Sequence, residues 1–477
     1  MPDLEYIFHP RSIAVVGASA DPLNPATLAF LNPLIQFGYE GGIYPIHLEA
    51  NEVSGLKAYP SIFDVPGPAD HVICAIRAAL TPQLVSECVT KRVKVIHLFT
   101  SGFSETGKEE GIRLEREIAE IAHQGGVRVI GPNCMGIYCP ISGISFDADF
   151  PRESGSVGFL SQSGGNSMEL VQLGGTRGIR FSKVVSFGNA CDLNEADFME
   201  YFAHDPQTKI IVGYIEGTKD GRRFITTLQK AAEAKPVIIL KGGVAEGGTK
   251  AVASHTGALA GSNAVWGSLL SQLGVMQVYD LEELVNLILL FQHFKPFKGR
   301  RVGLVGGGGG GSVLVTDDCE REGLTVPSFP RKVWKRLREI VPEEVEPGTS
   351  VGNPVDLSGT GLRDPSIFSK SLKIIANYDG VDFILTHVNV ALGLYRGTSE
   401  MIDRHIDSLI EIKKNVAKPV AAVIRHSGEL KAANYAFTVQ KRCLEAGIPV
   451  FPSFGRAARA ISKFIRYCET KEGAETK

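Results

Sequence analysis

The chain has 477 residues, of which 44% are hydrophobic and 21% are charged, and its formal net charge is -2. These values are typical of a folded protein with a large core and exclude an intrinsically disordered chain. The near-neutral balance provides neither a basic surface for nucleic acid nor a polybasic patch for an anionic membrane, so neither partner is expected. At about 150 residues per domain, the length predicts three domains.

The N-terminus and the cysteines indicate a cytoplasmic protein. Met1-Pro2-Asp3-Leu4-Glu5 lacks the positive region and the apolar core of a secretory signal. No apolar run approaches the roughly 18 residues of a membrane span. The longest run, residues 284–291, predicts a buried helix segment. The eight cysteines form neither a CxxC pair nor a Cys/His cluster, which favours reduced thiols and predicts no metal site.

Apolar, β-branched runs separated by helix-length stretches indicate parallel strands along the whole chain. The runs lie at 12–17, 42–46, 71–76, 93–99, 127–132, 157–160, 183–186, 210–215, 236–241, 301–305, 383–386, 419–424 and 449–451. This alternation predicts an α/β fold with three Rossmann- or flavodoxin-like parallel-sheet domains in series. The predicted domains are 1–145, 146–298 and 299–466, followed by a polar tail at 467–477.

The turn after the first predicted strand begins with Gly17, Ala18 and Ser19. Backbone N–H groups in such a turn, at the start of a helix, can face a phosphate. A nicotinamide dinucleotide site would require G-x-G-x-x-G at this point. The sequence is Gly17-Ala18-Ser19-Ala20-Asp21-Pro22, which lacks both later glycines. The turn therefore disfavours a nicotinamide oxidoreductase and does not by itself identify a ligand.

A second turn, Ser161-Gln162-Ser163-Gly164-Gly165, leads from a predicted strand into a helix. Free N–H groups and the positive end of the helix dipole would meet there, and phosphate is the ligand that suits them. The other interpretation is a capped helix start that packs closely against its strand.

His255 lies among small residues, in Ser254-His255-Thr256-Gly257-Ala258-Leu259-Ala260-Gly261. A neutral imidazole is a nucleophile near neutral pH. Glu216 follows a predicted strand, and a carboxylate that holds one ring N–H directs the lone pair of the other nitrogen at an electrophile. Alternatively, His255 only satisfies backbone groups and Glu216 is a solvated residue at a strand end.

Together these segments resemble the α subunit of the NDP-forming acyl-CoA synthetases, relatives of succinyl-CoA synthetase, over nearly the whole chain. The segments that carry the resemblance are Val15-Val16-Gly17-Ala18-Ser19, Ser101-Gly102-Phe103-Ser104-Glu105, Gly131-Pro132-Asn133-Cys134-Met135-Gly136, Ser161-Gln162-Ser163-Gly164-Gly165, Tyr214-Ile215-Glu216-Gly217, the run around His255 and Asn353-Pro354-Val355-Asp356-Leu357. The resemblance implies an acid-thiol ligase. It would interconvert acyl-CoA, phosphate and NDP with acid, CoA and NTP through an acyl phosphate and a phosphohistidine.

The resemblance also implies roles for individual residues. His255 matches the phosphorylated histidine, Glu216 the carboxylate that orients it, and the turn from Ser161 to Gly165 the site that holds the phosphoryl group. Coenzyme A is expected on the first domain, the second domain would carry the phosphohistidine, and the third would be a further ligase-CoA domain. The residues expected to contact coenzyme A are Gly17, Ala18 and Ser19 for its phosphates, and Ser101, Gly102, Asn133 and Cys134 for its pantetheine.

The first domain departs from the family pattern at two places. The family has another glycine soon after the first turn and a lysine after the second strand, where this chain has Asn24-Pro25-Ala26-Thr27 and Ile46-His47-Leu48-Glu49. An acid in place of the lysine removes an attraction for phosphate, so altered CoA binding is expected. The alternative function is a non-catalytic sensor of CoA or acyl-CoA on the same scaffold.

No segment resembles the ATP-grasp module with which the family binds its nucleotide. A separate ATP-grasp β subunit, holding ADP/ATP or GDP/GTP with Mg, is therefore predicted as the partner. His255 would travel between the two sites on a segment that contains Gly247, Gly248, Gly257 and Gly261. The acyl group and the choice of nucleotide stay open.

Overall fold

The computed structural model describes residues 4–21, 23–248, 262–306, 309–341, 350–357 and 364–475. It contains three mainly parallel sheets whose strands alternate with helices along the chain, so the predicted α/β class is confirmed. The chain forms two compact units, Met1–Leu284 and Val285–Lys477, and the first unit contains two of the three sheets. Within the described ranges, no helix is both long enough and apolar enough to cross a membrane.

Five strands build the first sheet, and two further strands form a separate hairpin. In chain order they are β1 (Ser12–Val16), β2 (Gly42–Ile46), β3 (Glu52–Val53), β4 (Leu56–Lys57), β5 (His71–Cys74), β6 (Val95–Leu98) and β7 (Arg128–Ile130). The order across the sheet is β2-β1-β5-β6-β7, all parallel. The chain forms β2 on one side of β1 and β5 on the other. The carboxyl end of β1 is therefore a switch point, where open α/β sheets bind ligands.

The helices in the part of the chain that forms the first sheet are α1 (Glu5–Phe8), α2 (Asn32–Phe37) with the π-helical turn Thr27–Leu31 before it, α3 (Thr81–Lys91) and α4 (Glu109–Gly125). Two of them, α3 and α4, contribute buried side chains to the core of that sheet. In α4 the buried Leu114, Ile118 and Ala122 recur at four-residue spacing, which places them on one face. That face packs with the buried β-branched residues of the strands in one core.

The second sheet has six strands. They are β8 (Gly136–Tyr138), β9 (Val157–Ser161), β10 (Phe181–Ser186), β11 (Ile210–Ile215), β12 (Val237–Lys241) and β13 (Met276–Val278). Their order is β13-β12-β11-β9-β10-β8, parallel except that β8 runs antiparallel to β10. Neither β8 nor β13 was predicted, because each contains only one β-branched residue and no continuous run marks it. β8 precedes residue 145 and yet pairs in the second sheet.

The helices of this part are α5 (Gly164–Thr176), α6 (Glu195–His204), α7 (Gly221–Ala234) and α8 (Asn263–Gln272). The next helix, α9 (Leu281–His293), begins in the first unit and continues into the second. The apolar run 284–291 lies in α9 and its leucine, isoleucine and valine side chains are buried, as predicted. β9 and β11 are neighbours with Tyr214 opposite Ser161. Their carboxyl ends therefore bring the turn after Ser161 beside Glu216.

The third sheet lies in the unit Val285–Lys477 and its strands follow chain order. They are β14 (Val302–Val305), β15 (Phe383–Asn389), β16 (Val420–Arg425) and β17 (Val450–Phe451), all parallel. The helices are α10 (Gly309–Arg321), α11 (Arg331–Ile340), α12 (Pro365–Ala376), α13 (Val390–Arg396), α14 (Ser399–Asn415), α15 (Leu430–Glu445) and α16 (Phe454–Glu475). α16 includes most of the expected polar tail, since lysine, glutamate and alanine are strong helix formers.

Candidate active site

The turn between β9 and α5 is fixed by its own hydroxyl groups. Ser161 Oγ donates to the Ser163 carbonyl at 2.8 Å and accepts from the Ser163 N–H at 3.1 Å. Ser163 is the N-cap of α5, and its Oγ accepts from the Asn166 N–H at 3.2 Å. In the described part of the chain, no acceptor lies within reach of the N–H groups of Gly164 and Gly165. The helix start is therefore capped and still presents open donors, which is the arrangement that binds anions.

Gln162 joins this turn to the end of β11. Its side-chain oxygen accepts from the backbone N–H groups of Glu216 and Gly217, the latter at 3.1 Å. The backbone N–H of Gln162 donates to the Tyr214 carbonyl at 3.1 Å. The Gln162 side chain is buried. Its oxygen thus fixes the Glu216 backbone and is not a free phosphate ligand.

Glu216 is buried, with 4% of its surface exposed, so it is not the solvated strand-end residue of the alternative interpretation. The Tyr214 hydroxyl donates to its Oε1 at 3.0 Å. Burial, and then the nearby Glu216 charge, raise the pKa of Tyr214 well above its ordinary value, so this hydroxyl keeps its proton. Glu216 Oε2 is buried and has no hydrogen-bond donor among the described residues. A buried carboxylate oxygen without a donor is costly, and an imidazole N–H would satisfy it.

Lys241, the last residue of β12, is a charged neighbour that the sequence analysis did not select. It is 3% exposed, and its Nζ donates to the carbonyls of Glu216, at 2.7 Å, and Gly242. Burial lowers the pKa of Lys241 to about 8, against the opposing effect of the Glu216 charge. The available signal was one basic residue at the end of an otherwise apolar strand.

His255 lies outside the described residues, as do Gly257 and Gly261. The chain runs toward His255 from Gly242, which directly follows β12, and is described again from Ser262, just before α8. Gly242 therefore leaves the second sheet beside Glu216, at the carboxyl end of the strand next to β11.

Gly17, Ala18 and Ser19 lie at the switch point of the first sheet. Gly17 has φ +95°, and a Cβ there would lie 2.9 Å from the Ala75 carbonyl oxygen, so only glycine fits. Ala18 is buried. The Ser19 N–H donates to Thr27 Oγ1 at 3.0 Å, and that hydroxyl donates back to the Ser19 carbonyl at 2.9 Å. The backbone groups of Ser19 are thus engaged within the turn.

A cavity of about 660 Å³ opens beside this turn, at the carboxyl ends of β1, β2 and β5. Gly17 and Ser19 line it, together with the departing segment from Ile46 to Glu49. Its described lining includes the acids Glu49 and Glu87 and no lysine or arginine. The cavity therefore lacks the basic side chain that the family pattern would supply.

The second set of expected CoA contacts gathers at the ends of β6 and β7. The Gly102 N–H donates to Glu105 Oε1 at 2.5 Å, and the Asn133 N–H donates to the Thr100 carbonyl at 3.0 Å. The Asn189 amide donates to Glu105 at 2.6 Å and to Glu115 at 2.8 Å. These bonds tie the loop that contains Ser101 and Gly102 to the second sheet.

Cys134 is buried, and its thiol lies 3.7 Å from the Leu98 carbonyl. Burial raises the pKa of this thiol well above its ordinary value, which makes it unreactive. The next residue, Met135, touches the turn between β9 and α5, since a Cβ on Gly164 would lie 2.9 Å from Met135 Cγ. The expected CoA segment and the turn after β9 are therefore adjacent within the first unit.

The chain is similar to known proteins over nearly its whole length. Residues 11–140 match the CoA binding domain family, and residues 154–291 match the succinyl-CoA ligase like flavodoxin domain family. The chain is 37% identical to acetate–CoA ligase [ADP-forming] II subunit alpha of Pyrococcus furiosus over 98% of this chain and 99% of that protein. It is 33% identical to acetate–CoA ligase [ADP-forming] I of Archaeoglobus fulgidus over 97% of this chain and 64% of that protein.

The fold matches a solved structure of the same kind. The dinucleotide-forming acetyl-coenzyme A synthetase 1 of Ca. Korarchaeum cryptofilum, in complex with phosphate and ADP, aligns with a TM-score of 0.82 and 30% sequence identity. The alignment covers 100% of this chain and 99% of that chain. The chain belongs to the family of ADP-forming acetate–CoA ligases, the NDP-forming acyl-CoA synthetases.

Proposed function

We propose that the chain is the α subunit of an acid–CoA ligase that conserves the energy of a thioester in a nucleoside triphosphate. A phosphate oxygen attacks the acyl carbonyl, the C–S bond breaks, and CoA leaves with the acyl phosphate formed. A ring nitrogen of His255 then attacks phosphorus, and the carboxylate leaves as the P–O bond breaks. Finally an oxygen of NDP attacks phosphorus, the P–N bond breaks, and NTP and free His255 result. Each step is reversible.

The observation that carries this proposal is the buried Glu216 Oε2, which has no donor among the described residues. In the proposed site this oxygen accepts the N–H of one His255 ring nitrogen, which directs the other nitrogen at phosphorus. Tyr214 holds the carboxylate, and Gln162 holds the Glu216 backbone, before any ligand arrives. The positive charge that develops on the imidazole then meets a fixed, dehydrated anion.

The turn from Ser161 to Gly165 holds the phosphoryl group in this proposal. The open N–H groups of Gly164 and Gly165 lie at the positive end of the α5 dipole, and three peripheral phosphoryl oxygens need such donors. Because Ser161 and Ser163 keep the loop in shape with their own hydroxyls, little reorganisation is needed when the charge arrives.

Residues 1–145 bind coenzyme A in this proposal, residues 146–298 carry the phosphohistidine, and residues 299–466 form the second ligase-CoA domain. CoA enters at Gly17, Ala18 and Ser19, beside the cavity, and extends toward Ser101, Gly102, Asn133 and Cys134. The contact between Met135 and Gly164 supports this path, since it brings that end close to the phosphate turn.

The nucleotide, as ADP/ATP or GDP/GTP with Mg, binds an ATP-grasp β subunit in this proposal. The P. furiosus relative is named as a subunit alpha, which supports a complex. All eight cysteines are free thiols, which supports a reducing compartment such as the cytoplasm. The ligase names of the relatives favour the enzyme over the non-catalytic sensor.

The test uses the full chain with radiolabelled phosphate and a panel of acyl-CoAs, beginning with acetyl-CoA. The proposal predicts an acid-labile, base-stable protein label that is absent from His255→Ala and that ADP or GDP discharges when the β subunit is present. If no acyl-CoA gives label, with or without the β subunit, while CoA still binds, the chain is a sensor and the ligase proposal fails.

A further inference from the structure

Lys241 is a buried lysine that the proposed reaction has not yet used. Its Nζ donates to the Glu216 carbonyl at the end of β11 and to the Gly242 carbonyl just after β12. The ammonium group therefore links the carboxyl ends of β11 and β12. Glu216 directly follows β11, and the chain continues from Gly242 toward His255.

A cation at this place is expensive for the fold. Lys241 is 3% exposed, and burial of an ammonium group disfavours its charged form. Two backbone carbonyls and the face of the Trp266 ring, 5.1 Å from Nζ to its centroid, compensate part of that penalty. An uncharged aliphatic side chain would avoid the penalty, so the charge itself has a use.

The Lys241 charge lies close to the Glu216 carboxylate and can offset its negative charge. Glu216 is as deeply buried as Lys241, and the two charges act on each other. The only donor to the Glu216 carboxylate among the described residues is the neutral Tyr214 hydroxyl. A buried anion needs a nearby cation, and Lys241 supplies it without covering Oε2.

We propose that Lys241 is a positioning residue for phosphoryl transfer: it fixes the backbone of Glu216 and supplies the positive charge that offsets the Glu216 carboxylate, leaving Oε2 free for the histidine. This inference rests on the proposed function, because it assigns Glu216 the task of orienting His255.

The test compares Lys241→Met and Lys241→Arg with Lys235→Met. Lys235 is the matched control, because its Nζ also donates to two backbone carbonyls, of Phe202 and Asp205, both at 2.6 Å, but it precedes β12 at the opposite edge of the sheet. Each full-length variant is first checked by thermal unfolding. The rate of protein labelling from acetyl-CoA and radiolabelled phosphate is then measured between about pH 6 and pH 10.

We expect Lys241→Met to lower the labelling rate about tenfold or more, and Lys235→Met to lower only the unfolding temperature. In the wild type the rate should fall as the pH rises through about 8, because Lys241 loses its charge there, whereas Tyr214 keeps its proton. Lys241→Arg should keep its rate at alkaline pH, since a guanidinium stays charged.

A folded Lys241→Met that labels at the wild-type rate would overturn the inference, and so would an alkaline decline that persists in Lys241→Arg. If Lys241→Met or Lys241→Arg does not fold, the labelling rate and pH profile of the other Lys241 variant test the inference. A wild-type chain that takes no label at all refutes the proposed function and this inference together. Normal wild-type labelling, lost in His255→Ala and unchanged in Lys241→Met, refutes the inference alone.

Discussion

The carboxyl edges of the first and second sheets share one plan, a switch point followed by a glycine-containing turn, but they treat charge in opposite ways. At the second sheet, Glu216 and Lys241 are buried and held by fixed partners. At the first sheet, Glu49 is exposed at the rim of a cavity of about 660 Å³. Bond-making chemistry requires charged groups in fixed positions. At a solvated rim, by contrast, an acidic residue in place of a basic one changes the free energy of ligand binding only modestly, because water and salt screen the charge.

The largest effect is expected at the second sheet, from Glu216→Gln. The substitution removes the anion and replaces an acceptor with an amide, so it should slow protein labelling by about 100-fold at unchanged CoA affinity. Rapid-quench labelling and calorimetric CoA titration measure the two quantities. Glu283→Gln is the control, because Glu283 is also 4% exposed and accepts from the Tyr279 N–H at 2.9 Å, at the start of α9. Equal rates for the two variants would contradict the role of Glu216.

The contact between the two edges can be tested with Gly164→Ala. The added Cβ would press on Met135 Cγ at 2.9 Å, so the turn must shift and we expect labelling to slow about tenfold. The double variant Gly164→Ala with Met135→Ala should recover most of the rate, because the clash is removed. Labelling quenched at fixed times is compared among the wild type and the two variants. No recovery in the double variant would mean that the contact does not couple the edges.

At the first sheet, Asn189→Ala should loosen the loop that contains Ser101 and Gly102. It leaves Glu105 and Glu115 without their amide donor, which destabilises the fold by about 1–3 kcal/mol and should weaken CoA binding about fivefold. Denaturant unfolding and CoA titration check the two effects. Asn194→Ala removes the N-cap of α6 and is expected to lose stability only. An equal loss of CoA affinity in both variants would contradict this loop assignment.

The smallest effect is expected from Glu49→Lys, which restores a basic residue at the cavity. Exposed charges contribute little, so CoA affinity should rise only about threefold, and the gain should vanish at high salt. Glu40→Lys makes the same charge change just before β2, at the opposite edge of the sheet, and should leave CoA affinity unaltered. Calorimetric CoA titration of both variants at low and high salt measures the difference. An equal rise in CoA affinity in Glu49→Lys and Glu40→Lys would mean that only the net charge matters.

The sequence predicted most of this framework because long buried strands are continuous apolar runs. The runs at 210–215 and 236–241 differ from β11 and β12 by at most one residue. The three-residue strands β8 and β13 escaped prediction because their pairing is fixed by neighbours distant in the sequence.

The site was harder to predict than the sheets. A glutamate after a strand is compatible with solvent or with the interior, and the burial of Glu216 depends on Tyr214 and on Gln162 from the adjacent strand end. Lys241 was missed because its partners are backbone carbonyls, which leave no mark in the sequence. The role of His255 stays a prediction, since that residue lies outside the described ranges.

The most direct test of the account is to locate the phosphoryl group on the protein. The full chain is incubated with acetyl-CoA and phosphate, quenched at alkaline pH to preserve phosphoramidates, digested, and sequenced by tandem mass spectrometry. We predict a single phosphorylated peptide with the modification on His255, absent when acetyl-CoA is omitted. Phosphate on any other residue, or turnover of acetyl-CoA with His255 unmodified at every time point, would contradict a phosphohistidine carrier beside Glu216.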